Sequence, residues 1–131
     1  MPSSATITPV ATNLPASRAP LEWAVTAQGI LFTAQIPIDA SGQVVSGGIE
    51  AQAHQTLANL KDTLRCAGVG MNALTQVLIY VTDRAHFSAV NQAYAEYVEA
   101  PYPNRAAIIV SGFAREDMLV EMIAYAAVTQ S

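Results

Sequence analysis

The segment MLVEMIAYAAV, residues 118–128, carries a single charged side chain, Glu121, among apolar residues. Successive side chains of a β-strand point to opposite faces of a sheet. Both sets of alternating positions are apolar here apart from Glu121, which is typical of a strand covered on both faces. Two helices of the same chain can cover only one face of the sheet, so we expect the other face to meet a second layer or another subunit.

The remaining segments predict an α+β domain. Apolar residues recur at spacings of three and four over Ile49–Ala67, which predicts a helix that Gly68 ends, and a second amphipathic helix is expected from Phe87 until before Pro101. The predicted strands lie around Thr6–Val10, at Leu21–Gln28 and Ile30–Ile36 as a hairpin, at Thr75–Thr82, at Ala106–Ser111 and at Met118–Val128. The order β-β-β-α-β-α-β-β predicts one sheet of six strands with both helices on one face.

Length and composition favour a single domain that associates with itself. The 131 residues make one domain, 1–131, in which residues 1–20 are expected to form a loosely attached arm with a short strand. Charged residues make up 12% of the chain, against roughly 25% in typical proteins. Much of the surface must therefore be apolar, which favours oligomerisation.

The charges and the rare residue types exclude several classes of function. The net charge is −4 and the six Lys and Arg residues are scattered, which disfavours nucleic acid and an anionic membrane surface as partners. One cysteine and two histidines provide neither an internal disulfide nor a zinc motif, and no Gly-rich phosphate loop is present, so we expect no metal and no cofactor. The first residues lack the pattern of a secretory signal, and no run of about 20 apolar residues could span a bilayer. We therefore expect a cytoplasmic protein.

Glu121 and Arg105 are the polar residues best placed for chemistry. A carboxylate in an apolar strand is costly unless it is paired or protonated, and burial raises its pKa toward the range that suits proton transfer. The alternative is a glutamate at the rim of the sheet, in water. Arg105 follows Pro103-Asn104 and opens a strand, where a guanidinium can hold a carboxylate through two hydrogen bonds. A surface arginine paired with an acid is the more common situation.

Two further polar positions are open to either interpretation. Asn91 shares or borders the apolar face of the second helix, where a hydrogen bond to the backbone is the simplest explanation. Thr33 and Gln35 lie on a strand near a loop. They could contact a ligand or be ordinary strand residues.

In their order and spacing, these motifs resemble those of the Rid proteins, the reactive intermediate deaminases of the YjgF-like family. The resemblance extends from Thr6 to Val128. It is carried by Thr33-Ala34-Gln35-Ile36-Pro37, Asp39, Gly42, Gln52, Asn59-Leu60, Leu64, Ala67-Gly68, Val90-Asn91, Tyr94, Pro103-Asn104-Arg105, Val120-Glu121 and Ala124. Each segment is weak alone, and the series is specific.

The resemblance implies a chorismate-mutase-like α+β fold with a mixed six-stranded sheet, assembled as a homotrimer with a cleft between each pair of subunits. Active members of the family hydrolyse enamine and imine intermediates to a carbonyl compound and ammonia. Arg105 matches the arginine that binds the substrate carboxylate, and Glu121 matches the acid that positions or activates water. Asn91 and Thr33 match positions that line the pocket.

The chain departs from the family pattern within the implied pocket. The family's Ser-Gly-Gln is Thr33-Ala34-Gln35 here, which adds a methyl group at each of two pocket positions. The cysteine two residues after the family arginine is Ala107, and the Pro-Tyr of active members is missing from the region around Trp23. These departures concern the substrate more than the fold.

The leading functional hypothesis is a deaminase that acts on the imine or enamine of a small carboxylate. A pathway-specific deaminase of aminomuconate type is the alternative within enzymes. The rival from another class is a non-catalytic, regulatory trimer that binds small carboxylates, and the presence of Glu121 favours the enzyme. An endoribonuclease role, sometimes attached to the family, fits poorly with a net charge of −4.

Overall fold

The computed structural model describes residues 6–128, and Met1–Ala5 with the last three residues lie outside that range. The elements are β1 (Thr8–Pro9), β2 (Ala24–Ala27), β3 (Ile30–Gln35), α1 (Gly48–Cys66), β4 (Leu74–Val81), α2 (Phe87–Tyr97), β5 (Asn104–Ile109) and β6 (Val120–Ala127), with short 3₁₀ turns before β4 and α2. The predicted order of strands and helices is confirmed. Within the described part of the chain, no helix has the length and apolar character needed to cross a membrane.

The six strands form one mixed sheet in the order β1-β2-β3-β6-β4-β5. The β4–β5 pair is parallel and the other pairs are antiparallel. The last strand, β6, therefore lies at the centre of the sheet between β3 and β4. Burial of its Val120, Met122 and Ala124 agrees with that central place.

Local sequence explains where the main elements turn and stop. Gln28 and Gly29 both have positive φ, 55° and 78°, as a two-residue hairpin turn between β2 and β3 requires. After α1, Gly68 has a φ of 85°, its N–H donates to the Arg65 carbonyl, and the N–H of Val69 donates to the Leu64 carbonyl. A side chain at position 68 would strain this helix end.

Both helices pack on one face of the sheet, which we call the covered face. Its fully buried core combines alternate strand residues with one side of each helix. Leading members are Leu31, Leu57, Leu60, Leu64, Val77, Ile79, Val90, Val120 and Met122. The mixed six-stranded sheet with its two helices is thus confirmed.

The other set of strand residues forms what we call the open face. Phe32 of β3 pairs with Tyr125 of β6, and their rings meet edge to face with centroids 5.5 Å apart. Phe32 is 41% exposed, and Ile123, Leu78 and Tyr125 are half-buried. The doubly apolar sequence of β6 thus has one side in the core and one side on this open apolar face.

Candidate active site

Arg105 is the second residue of the exposed edge strand β5 and lies beside α2. Its Nη2 donates a 2.6 Å hydrogen bond to Oδ1 of Asn91, and its guanidinium carbon lies 4.9 Å from the centroid of the Tyr94 ring. These contacts hold the guanidinium in place while leaving it exposed. The sequence interpretation of Asn91 as a residue tied to the backbone is replaced by a contact with the candidate anion-binding side chain.

A cavity of about 410 Å³, here called the arginine cavity, opens next to this pair. Its lining is made of Asn91, Tyr94, Ala95, Val98, Tyr102, Pro103 and Arg105. The Tyr94 hydroxyl is buried without a hydrogen-bond partner among the described residues, and burial raises the pKa of Tyr94 while the charge of Arg105 opposes that shift. Tyr94 is therefore a neutral aromatic platform for the guanidinium.

Ala107 lies two residues after Arg105 and shares its face of β5, since Arg105 pairs with Val77 and Ala107 with Ile79 on the parallel neighbour β4. Both of those partners are fully buried on the covered face. Ala107 itself is exposed. The structure therefore brings together three of the predicted site residues, Arg105, Asn91 and Ala107, at one edge of the sheet.

Glu121 lies in a second cavity, of about 400 Å³, on the open face. We call it the glutamate cavity; it is lined by Ser17, Ala19, Leu21, Glu22, Trp23, Ala34, Ile36, Ala114, Arg115, Met118 and Glu121. Burial raises the pKa of Glu121 above its usual 4.5. A half-buried carboxyl with an elevated pKa is suited to holding or transferring a proton.

Two amides of α1 fix the walls of the glutamate cavity. Gln52 donates to the carbonyl of Asp117 at 2.9 Å and accepts from the N–H of Leu119 at 2.7 Å. Asn59 donates to the carbonyls of Ile36 and Ile38. The segments that enter β6 and leave β3 are thereby held at fixed positions beside Glu121.

Thr33 is placed differently from the other predicted site residues. Its side chain is buried on the covered face, where the hydroxyl donates to the Trp23 carbonyl at 2.6 Å and accepts from Nε2 of Gln35 at 2.9 Å. The neighbouring Ala34 is exposed and lines the glutamate cavity. Of the two, Ala34 faces the cavity, and Thr33 supports the strand from the interior.

Arg105 and Glu121 do not meet within one chain. Arg105 shares the covered face with its partner Val77, whereas Glu121 pairs with Tyr80 on the open face. The predicted site residues therefore form two groups, one around Arg105 and the other around Glu121 and Ala34. A site that uses both groups requires a second copy of the chain.

The sequence assigns no site role to Trp23 or Arg115, yet both residues line the glutamate cavity. The Nε1 of Trp23 donates to the Pro15 carbonyl at 2.9 Å, and Trp23 lines the glutamate cavity. The only sequence feature that pointed to Trp23 as a pocket residue was the absence of the family's Pro-Tyr in this region. Arg115 was interpreted as one scattered basic residue, and it lies in a loop without a motif that would have marked it.

Comparisons with known proteins agree on the family and the fold. Residues 11–128 match the family described as Endoribonuclease L-PSP. A RutC family protein of Pyrococcus horikoshii is 38% identical over 116 residues, which cover 86% of this chain and 92% of that protein. The 2-iminobutanoate/2-iminopropanoate deaminase of Mus musculus is 33% identical over 106 residues, which cover 79% and 78%. The crystal structure of YyfA from Yersinia pestis, a Rid family protein of unknown function, is similar with a TM-score of 0.88 and 32% identity, covering 93% of this chain and 99% of that one.

Proposed function

The chain belongs to the endoribonuclease L-PSP family, which includes the Rid proteins, and we propose that it is a cofactor-independent deaminase of imines or enamines of small carboxylic acids. The observation that carries the proposal is the pair of half-sites: an anchored, exposed arginine and a half-buried glutamate with a raised pKa. A relative named as a 2-iminobutanoate/2-iminopropanoate deaminase supports the same chemistry.

In the proposed reaction, Arg105 holds the substrate carboxylate through two hydrogen bonds. The oxygen of a water molecule adds to the imine carbon while the π electrons of the C=N bond move to the nitrogen; Glu121 orients this water, accepts its proton and passes it to that nitrogen, which gives a carbinolamine. The C–N bond then breaks as the hydroxyl oxygen forms the C=O bond, and Glu121 transfers the hydroxyl proton to the departing nitrogen, which leaves as ammonia. Imine and water are converted to a carbonyl compound and ammonia, so no electron acceptor or other co-reactant is needed.

We propose a homotrimer in which the open faces of three sheets meet. The aromatic pair Phe32–Tyr125 and the neighbouring Leu78 and Ile123 supply the apolar surface that this contact would bury. Each active site would then lie between two subunits, with the arginine cavity of one against the glutamate cavity of the next. In such a trimer, Asn91, Ala107 and Ala34 would line the site that binds the small carboxylate. Thr33 would support Ala34 from the interior.

Two alternatives use the same residues. A deaminase dedicated to an aminomuconate-type substrate would act on a molecule with two carboxylates, and a non-catalytic regulatory trimer would bind carboxylates without turnover. The description of the family as endoribonuclease names a third activity. The net charge of −4 disfavours the binding of RNA phosphates.

The decisive experiment measures ammonia release from 2-iminobutanoate generated in situ by an amino acid oxidase, with and without the protein. The deaminase proposal expects release faster than the uncatalysed hydrolysis. No acceleration, together with calorimetric binding of 2-oxobutanoate, would favour the regulatory trimer. Light scattering on the same sample tests the assembly, and a stable monomer at micromolar concentration would contradict the trimer.

A further inference from the structure

Arg115 lies between two cavities of the same subunit. It lines the glutamate cavity and also an adjoining cavity of about 350 Å³, whose lining includes Arg18 and Ser41. The two cavities share Ser17, Ala19, Trp23 and Arg115. The space beside Glu121 therefore continues past the guanidinium of Arg115 into the cavity that Arg18 lines.

The Arg115 guanidinium has N–H donors that make no hydrogen bond within the described residues. Its Nη1 donates to the Gly42 carbonyl at 2.7 Å, and neither of the two ion pairs found in residues 6–128 involves it. The Gly42 carbonyl is itself fixed, because the Asp39 carboxylate accepts hydrogen bonds from Ser41 and Gln43 around this turn. A guanidinium has five N–H donors in a planar fork, so most of them are available to a ligand.

We propose that Arg115 binds a second carboxylate of the substrate, so that the enzyme prefers imines and enamines of dicarboxylic acids. The inference rests on the proposed deaminase function of the glutamate cavity. The carboxylates of Glu22 and Glu121 line that cavity and would repel an anionic group at the far end of the substrate. Arg115 is the cation in the lining of this cavity that can offset this repulsion. A guanidinium pairs with a carboxylate bidentately and discriminates a carboxylate from a neutral amide of the same size.

The two cavities also share an apolar surface. Trp23, whose indole is bonded to the Pro15 carbonyl, lines both cavities together with Ala19. A short carbon chain can lie against this surface between Glu121 and Arg115. The reacting imine carbon and the distal carboxylate would then occupy separate parts of one groove.

The test compares two imines of equal size that differ in distal charge, generated in situ from glutamate and from glutamine by an amino acid oxidase. We expect wild-type kcat/KM to be at least about tenfold higher for the imine from glutamate, as a charged hydrogen bond to the distal group requires. Arg115→Met should remove this preference, so that kcat/KM for the imine from glutamate falls to about that for the imine from glutamine in the same variant. Arg84→Met, which changes an exposed arginine outside both cavities, should retain the preference.

The outcomes separate this inference from the proposed function. Equal turnover of the two imines by wild type, or a preference that survives Arg115→Met, would overturn the inference and leave the deaminase intact. If neither imine is hydrolysed faster than in buffer, the deaminase proposal fails, and calorimetry decides the role of Arg115. Tighter binding of 2-oxoglutarate than of 2-oxobutanoate, lost in Arg115→Met and retained in Arg115→Lys, would support Arg115 as the anion site. Equal binding would overturn it.

Discussion

The guanidinium of Arg105 donates to the side-chain carbonyl of Asn91, so strand β5 and helix α2 jointly orient the candidate anion-binding group. The ring of Tyr94 lies beneath the same guanidinium. One N–H group of the guanidinium donates to Asn91, and the other N–H groups can donate to a ligand. An arginine held in this way loses little conformational entropy when it binds a carboxylate.

Replacing Arg105 with lysine tests the fork and keeps the charge. Lysine cannot form two parallel hydrogen bonds to a carboxylate, so we expect transition-state binding to weaken by about 2 kcal/mol, a fall of roughly 30-fold in kcat/KM. Steady-state ammonia release measures it. Arg65→Lys is the matched control, because Arg65 is an exposed arginine paired with Asp62 on α1. Unchanged kcat/KM in Arg105→Lys would remove Arg105 from the mechanism.

The proposed homotrimer, with each site shared by two subunits, predicts complementation. Arg105→Met and Glu121→Gln should each inactivate the homotrimer, because every site lacks one of its two groups. In trimers assembled from an equal mixture of both chains, some interfaces combine an intact Arg105 with an intact Glu121. Random assembly gives such sites at about a quarter of interfaces, so we expect activity near a quarter of wild type after co-refolding. Activity no higher than that of either variant alone would place the whole site in one chain.

Local sequence was sufficient to predict the helices and strands but not to predict which strands lie next to each other in the sheet. The spacing of apolar residues predicted α1, and the β-branched run predicted β4, because both signals lie within one segment. The insertion of β6 between β3 and β4 depends on pairing between distant parts of the chain. Periodicity within a strand shows that two faces exist and leaves open which face the helices cover.

Thr33 and Ala34 illustrate that limit. Adjacent strand residues point to opposite faces, so the side chains of Thr33 and Ala34 have different surroundings, although both residues border a cavity of about 280 Å³ beside Phe32 and Tyr125. The register Thr33–Ala24 and Thr33–Ala124 places Thr33 on the covered face. Arg115 was overlooked for a related reason, since its place beside Glu121 is set by a loop that Gln52 and Gly42 hold.

The buried amide of Gln35 predicts a specific stability difference. Its Nε2 donates to the hydroxyls of Thr33 and Thr63, each at 2.9 Å. Thr63→Val keeps the shape but leaves a buried donor without a partner, and such a loss costs about 1–3 kcal/mol. Thr56→Val is the control, because the equally buried Thr56 hydroxyl donates to the Gln52 carbonyl within its own helix. Urea unfolding should show the larger loss for Thr63→Val, and equal losses would contradict the network.

The raised pKa of Glu121 predicts how stability depends on pH. Between the ordinary pKa of 4.5 and the higher folded value, the native state holds a proton that the unfolded chain has released. Stability contributed by this group is therefore lost as pH rises through that range. Glu121→Gln lacks the ionisation, so the melting temperature of this variant should rise relative to that of wild type as the pH increases above 4.5. A melting-temperature difference that is constant with pH would show that the carboxyl is not perturbed by burial.

The last prediction separates an enzyme from a binding protein. Glutamine at position 121 preserves the shape of the side chain and its hydrogen bonding but cannot accept a proton. Proton-transfer groups contribute about 10²–10⁴-fold to rates, so we expect Glu121→Gln to lose at least about a hundredfold in deamination while it stays trimeric and still binds a 2-keto acid. Ammonia release and calorimetry on the same sample measure both properties. Glu22→Gln serves as the control, since Glu22 lines the same cavity but has no assigned proton to move. A Glu121→Gln variant that turns over like wild type would mean that water is activated elsewhere, whereas equal loss of binding and turnover would make Glu121 a ligand contact and not a proton carrier.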